Sequence, residues 1–272
     1  MPKISDLGEL SGEVLLFGGP YSNFQALGAM MELADARDID ASRRICTGDI
    51  VAYCADPVAC VAKMRQLGNP IARGNCEVQL AQDALDCGCG FAAGTLCSIL
   101  SEGWFSYARA QISNAERRWM AALPDWLIFR HYGKRYVVIH GAASDISRYL
   151  WSVSEEQYFT NEINLIIQEI DPIDGVICGH SGLAFSREIN GVQWINAGAI
   201  GMPPHDGSRQ TCFAILGPDG LKFERLSYDV SGAIKAMQNA GLNQGYEQSL
   251  RSGYWPSEDV LPATLRHPLA SG

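Results

Sequence analysis

The chain has 272 residues, nearly half of them hydrophobic, and a formal net charge of −9. That length suffices for one large α/β domain with a full core or for two small ones. The acidic balance argues against a nucleic-acid or anionic-membrane surface, because surplus carboxylates repel both polyanions, while small or metal-bridged anionic substrates stay compatible. The start Met1-Pro-Lys-Ile-Ser-Asp6 carries an acidic residue before any apolar run, and Val14–Phe17 is too short for a signal core or a membrane span. A soluble cytoplasmic protein without membrane partners is therefore expected, its oligomeric state left open. Nine cysteines is an odd count, so reduced thiols are expected rather than a disulfide framework. Cys46, Cys60, Cys178 and Cys212 fall in apolar runs or on helix faces and read as small buried hydrophobes.

Val14–Phe17 reads as the first strand, and Gly18 to Asn23 as a glycine-bearing loop before a helix over 24–34. Glycines between strand and helix let a backbone approach an anion. The apolar run from Ile45 stops at Gly48-Asp49, and a helix over 57–67 follows with Pro57 in its first turn. A strand over 71–75 and a third helix over 77–85 continue the alternation, which predicts a parallel sheet for this half. Residues 86–122 form a Gly/Cys-rich and then helical insertion or lid, whose Trp104, Phe105, Tyr107, Trp119 and Met120 read as packing rather than as a base-stacking platform. Residues 126–130 and 135–139 predict a hairpin ending at His140, and Ser154 with Gln157 a capped helix to residue 170. After the run 175–180, two Gly-bearing turns at Asn190-Gly191 and 217–220 predict antiparallel hairpins. Residues 228–272 read as closing helices over 230–239 and 244–250, then a Pro-rich, loosely docked tail from Trp255. No internal repeat or linker divides the chain, so one domain over 1–272 is expected.

Four apolar runs end in metal-capable side chains: Asp49, Asn75, His140 and His180. At the carboxyl ends of buried strands, one carboxylate, one amide and two imidazoles can converge in the crevice where open sheets bind ligands. Mixed N/O donors of this kind suit one divalent Zn, Fe or Mn ion.

Gly19-Pro-Tyr21, Gly48-Asp49, Gly74-Asn-Cys76, His140-Gly141 and Gly179-His-Ser-Gly182, with Ser22-Asn23, Asp56-Pro57 and Asn196-Ala-Gly-Ala-Ile-Gly201 around them, resemble the calcineurin-like metallophosphoesterases, particularly a small bacterial branch. The resemblance covers the chain up to about residue 226. It implies an α+β fold of four layers, α/β/β/α, with two stacked mixed β-sheets flanked by helices. It also implies a metal-dependent phosphoesterase acting on a small phosphorylated substrate. The family runs Asp-x-His, Gly-Asp, Gly-Asn-His, His and Gly-His-x-His. Here the ligands of its first ion are replaced by Gly19, Tyr21 and Gly182, whereas the second set carries over whole to Asp49, Asn75, His140 and His180. The resemblance thus implies a single-metal site, or on the same scaffold an impaired metal- or thiol-dependent binding protein. Gly19, Tyr21 and Asn23 are expected to orient the substrate anion, with Tyr21 donating a hydrogen bond into the emptied first-ion space.

Cys76 stands where the family has a histidine acting on the leaving group. As a thiolate it would ligate or attack; as a thiol it fills space. With Cys87, Cys89 and Cys97 it offers four soft ligands for a second ion, although the spacing matches no known pattern. Gly179-His180-Ser181-Gly182 falls short of a nucleophile elbow, because the fifth position is Leu183, and Ser181 with His205 or His267 as base explains neither Asp49 nor Asn75. His131 and His205 read as solvated loop histidines.

Overall fold

Alternation along the strands dictates the layering. In β2 (Val14–Phe17), Val14 and Leu16 face one apolar cluster and Leu15 and Phe17 another, so the strand is buried on both sides. Residues of β4 (Trp126–His131), β5 (Lys134–Val138), β6 (Gly175–Cys178), β8 (Val192–Asn196) and β9 (Thr211–Gly217) divide the same way. A period of two with both faces apolar requires something packed on each side. The result, in a computed structural model that describes residues 1–267, is a four-layer α/β/β/α sandwich.

One sheet runs β1-β4-β5-β6-β8-β7, where β1 is Ile4–Leu10 and β7 is Phe185–Ile189. The other runs β10-β9-β2-β3, where β3 is Arg44–Cys46 and β10 is Gly220–Leu226. Leu16, Phe129, Val138, Ile177, Ile195 and Leu216 pack in one cluster drawn from both sheets. Outside the second sheet, α1 (Phe24–Ala36), α2 (Pro57–Leu67), α4 (Leu96–Gln111), α5 (Asn114–Ala122) and α7 (Val230–Asn239) contribute to one cluster. Outside the first, α6 (Glu156–Glu169) packs Phe159, Ile163 and Ile166 against Trp194 and Val176. The remaining helices are α3 (Asn75–Ala81) and α8 (Tyr246–Ser252).

Several boundaries follow the sequence reading and others correct it. Helix α2 begins with Pro57 in its first turn and ends on Gly68 at φ 65°. The 126–138 hairpin pairs Leu127 with Val138. The first strand, however, is β1, a parallel partner of β4 on the sheet edge. The expected strand over 71–75 is a single bridge between Cys46 and Ile71, and α3 starts two residues before the expected Glu77. Ser154 does not cap α6; its hydroxyl accepts from the Trp151 N–H, and Glu155 holds the cap position. Halves of the chain do not segregate into parallel and antiparallel portions: β2 pairs with β3 in parallel and with β9 antiparallel. Trp104, Phe105 and Met120 are buried in the helical cluster, as packing residues should be. The tail is docked through residue 267, not loose: Trp255 Nε1 donates to the Pro203 carbonyl at 2.8 Å and Leu261 is buried. Its last residues, 268–272, lie outside the described residues.

Where the two sheets approach at the site, glycine is a spatial requirement. A Cβ on Gly18 would overlap the Gly198 carbonyl and come within 2.7 Å of Thr47 Oγ1, and a Cβ on Gly179 would overlap the same hydroxyl. Thr47, fully buried, is thereby clamped between segments that follow β2 and β6. Gly18→Ala should lower the unfolding free energy by about 1–3 kcal/mol through overpacking, read as a shifted urea midpoint with an unchanged slope.

Candidate functional site

Each candidate side chain stands just past a strand or at a helix start. Asp49 follows β3 with φ 55°, His180 follows β6 with φ 53°, His140 follows β5, and Asn75 opens α3 behind Gly74. All four are buried, His180 most exposed at 9%. The left-handed backbone at Asp49 and His180 costs on the order of 1 kcal/mol each, strain that persists only where surroundings over-determine it.

The other three converge on one nitrogen of His140. His140 Nε2 lies 3.2 Å from Asp49 Oδ2, 3.0 Å from Asn75 Oδ1 and 3.2 Å from His180 Nδ1. His140 Nδ1 sits 2.6 Å from the Thr47 carbonyl, an acceptor, so the ring donates its proton there. A neutral imidazole then turns the Nε2 lone pair toward two further acceptors, the Asp49 carboxylate and the Asn75 amide oxygen. Asn75 is held in that sense because its Nδ2 donates to the Cys87 carbonyl at 2.9 Å. Lone pairs facing one point require a positive charge at it, either a proton or a cation. The donor set therefore fits a divalent ion, and Asp49, His140 and His180 also place one ligand atom each within 4.8 Å of one another.

The ionisation states agree with that geometry. Burial favours the neutral acid, but the His140 ring beside it and its hydrogen bond hold the Asp49 carboxyl below the ordinary value. Burial opposes charge on His140 too, but the Asp49 carboxylate, the Thr47 carbonyl and Glu77 together outweigh it and raise the imidazole. Burial and then the neighbouring His140 push His180 down to about 4, so it is neutral at physiological pH.

Glu77 is the residue that sequence reading missed. Completely buried, it accepts from the Asp49 N–H and Gly74 N–H through Oε2 and from the Ile50 N–H through Oε1, each at 2.8 Å. One carboxylate thus braces the loops carrying Asp49 and Asn75. Burial, then the Asp49 charge, raise its acid to about 6. Its sequence signal was an acidic residue in the first turn of α3 after Gly74-Asn75; its partners on Asp49 and Ile50 lie far back in the chain.

Cys76 is buried behind the site, its N–H on Asp49 Oδ1 at 3.2 Å. Burial and then Asp49 push its thiol well above the ordinary range, so beside the ion-free cluster it keeps its proton. The four expected soft ligands do not assemble: Cys87 is bonded to Cys89, and Cys97 lies with Ser257 and Asp259 of the tail. Cys46, Cys60, Cys178 and Cys212 are buried as expected.

The 18–23 loop is not the anion cradle its glycines suggested. The N–H groups of Gly19, Tyr21, Ser22 and Asn23 donate to the carbonyls of Gly48, Asp49, Ile50 and Pro20. Asn23 caps α1 through Oδ1 and donates to the Gly201 carbonyl through Nδ2, so its side chain is spent too. Nor is the space between Gly19 and Gly182 empty. A Cβ on Gly19 would overlap the Tyr21 ring, and one on Gly182 would lie 3.5 Å from the Tyr21 hydroxyl. The phenol lies across the span that the side chains of residues 19 and 182 would otherwise share. Ser181 accepts from Asn196 Nδ2 at 2.8 Å, while His205, one candidate base for it, is engaged with Glu258 at 2.6 Å. His131 and His205 are buried at 2% and 8%, not solvated; His131 contacts the Gly12 carbonyl from the end of β4.

Residues 22–219 match the model of the calcineurin-like phosphoesterase superfamily domain. The chain belongs to that superfamily. The family and its solved neighbours indicate a metal-dependent phosphoesterase, and Asp49, His140 and His180 form a potential metal-ligand triad. The match begins one residue beyond Tyr21, past the first motif of the family. An uncharacterised protein of Methanocaldococcus jannaschii is 27% identical over 227 residues, spanning 79% of this chain and 87% of its own. A metallophosphoesterase from Sphaerobacter thermophilus shares the fold with a TM-score of 0.67 at 20% identity, covering 90% of this chain and 100% of that one. A hypothetical protein from Pyrococcus horikoshii OT3 does so with 0.70 at 15% identity, covering 90% and 98%. Among the described residues no helix is long and apolar enough to cross a membrane.

Two outcomes test this geometry. Glu77→Gln sets an amide N–H₂ against main-chain donors and should cost about 1–3 kcal/mol of stability, measured by urea unfolding of the metal-free protein. A cation must displace the proton that His140 takes up above its ordinary range, so affinity should fall about tenfold per unit as pH drops below that range. Calorimetric titration with Mn(II) across pH checks it, and flat affinity would exclude His140 as a ligand.

Proposed function

We infer that the chain is a phosphoesterase working with one divalent Zn, Fe or Mn ion, held by Asp49, Asn75, His140 and His180, on a small phosphoester. The observation that carries this reading is the position of Tyr21. Its ring fills the span where the side chains of residues 19 and 182 would lie, while in the other set Asp49, Asn75 and His180 all face His140 Nε2. A filled first position and an intact second one favour a single ion over random decay, which would strike both.

When bound, such an ion supplies Lewis-acid polarisation of a phosphoryl oxygen and a lowered pKa for water near it. The chain's own residues supply the rest. Asp49, with its carboxyl held ionised, and the two imidazoles fix the ion's place, Glu77 holds the loops of Asp49 and Asn75, and the Cys87 carbonyl keeps the Asn75 oxygen turned inward. Burial and then Asp49 keep the Tyr21 phenol protonated, so its hydroxyl is a donor placed beside the four-residue cluster. It stands in for part of what a second ion gives to an in-line displacement. A neutral donor replaces a dication poorly, so turnover should be slower than with a two-ion clamp by on the order of 10²–10³-fold.

A second reading, a metal-binding protein that has lost hydrolysis, is favoured by one fact: the 18–23 loop has spent its N–H groups. Assay of a phosphomonoester and phosphodiester panel with the Mn(II)-loaded protein separates the two. Hydrolysis that is abolished in His140→Ala, and that falls about tenfold in Tyr21→Phe at unchanged metal content, supports the enzyme. Full metal content with no turnover on the panel supports the binder.

A further inference from the structure

A narrow cleft opens directly from the metal-ligand cluster. His180, Ser181 and Gly182 form one end of it, and Tyr21, Tyr53, Phe91, Tyr149, Tyr246 and Trp255 supply its aromatic walls. The lining contains no Lys, Arg, Asp or Glu. In a chain with net charge −9, this is an uncharged slot beside a cluster that gathers cations.

The walls are preset. Tyr53 stacks on Tyr246 with centroids 4.6 Å apart and meets Tyr21 and Trp104 edge-on at 4.8 and 5.1 Å. Trp255 is pinned through Nε1 to the Pro203 carbonyl and through its N–H to His205 Nδ1, each at 2.8 Å, and His205 is held in turn by Glu258. Tyr149 lies 4.4 Å from the His180 ring, which ties the slot to the cluster. Rings that are already ordered cost little entropy when a ligand stacks on them. The missing side chain at Gly182 keeps the passage between cluster and slot open, since a Cβ there would stand 3.8 Å from the Trp255 ring.

We propose that this cleft binds a single uncharged aromatic ring of the phosphoester, so that the substrate class is an aryl or arylalkyl phosphoester with its phosphoryl group at the Asp49, Asn75, His140 and His180 cluster. A charged organic part would lose its hydration against these walls without gaining an opposite charge. The free volume is about 60 Å³, below the ~150 Å³ that encloses a benzene ring, so a ring enters only in part and its far side stays in solvent. This assignment rests on the phosphoester reading above and adds the organic half of the substrate to it.

Phenylphosphonate and methylphosphonate, which resist hydrolysis, test it by calorimetry on the Mn(II)-loaded protein. Phenylphosphonate should bind tighter by about tenfold or more, the value of burying much of one ring. Val260→Trp and Met202→Phe, both in the cleft lining and away from the metal-ligand cluster, should each erase the margin and leave methylphosphonate binding unchanged. Equal affinity of the two phosphonates for the unaltered protein overturns the assignment. Phenol with the metal-free protein separates the two layers of the argument. If neither phosphonate binds the loaded protein while phenol binding is lost in Val260→Trp, the phosphoester reading fails and the ring site stands. If phenol also fails to bind, the ring site falls with it.

Discussion

The hydrogen bond from His140 Nδ1 to the Thr47 carbonyl governs the site. It fixes which ring nitrogen carries the proton and so turns a lone pair toward the Asp49 carboxylate and the Asn75 amide oxygen. Thr47 can present that carbonyl because Gly18 and Gly179, from segments after strands of different sheets, lie too close to its side chain for any Cβ. The stacking of two sheets, the orientation of one imidazole and the demand for a positive charge are thus one continuous constraint. Glu77 extends it by tying the Asp49 loop to the start of α3.

The three positions at which the chain departs from the family's first-ion motif are coupled in space. Gly19, Tyr21 and Gly182 are not three independent losses, since the Tyr21 ring needs the absence of a Cβ at 19 and its hydroxyl fills the space facing 182. Its ring packs edge-on against Tyr53, which joins it to the aromatic wall of the adjoining cleft. On the single-ion reading proposed above, part of an uncharged pocket takes the place of one ion, while Glu77 and the Cys87 carbonyl brace the other donor set. Such an exchange trades electrostatic stabilisation for apolar contact area, which changes what can bind more than whether the fold stands.

Much of this was legible in the chain because glycine and chemistry-bearing residues punctuate the strand ends. Gly48-Asp49, Gly74-Asn75, His140-Gly141 and Gly179-His180 mark local turns, and local turns show in sequence. Both hairpin turns, at Asn190-Gly191 and 217–220, were legible for the same reason. What failed was long-range or polar. Strand β1 lies on a sheet edge, where the sequence needs no apolar alternation, and its register shifts between Asp6 and Glu9. The segment from Ile71 looked like a strand yet shares only one bridge, its extension interrupted by the turn into α3. Glu77, the spent N–H groups of 18–23 and the docking of Trp255 depend on partners distant in sequence, which no spacing announces. The Tyr21 ring fell between these cases: its identity marked a departure from the family, but only coordinates place it across the span between residues 19 and 182.

The most direct test of the central claim is anomalous scattering from crystals reconstituted with Mn(II). The account predicts one strong peak per chain, among Asp49, Asn75, His140 and His180, with the Tyr21 ring still lying between residues 19 and 182. A second peak on the Tyr21 side of Asp49, or no peak among the four side chains, would contradict it.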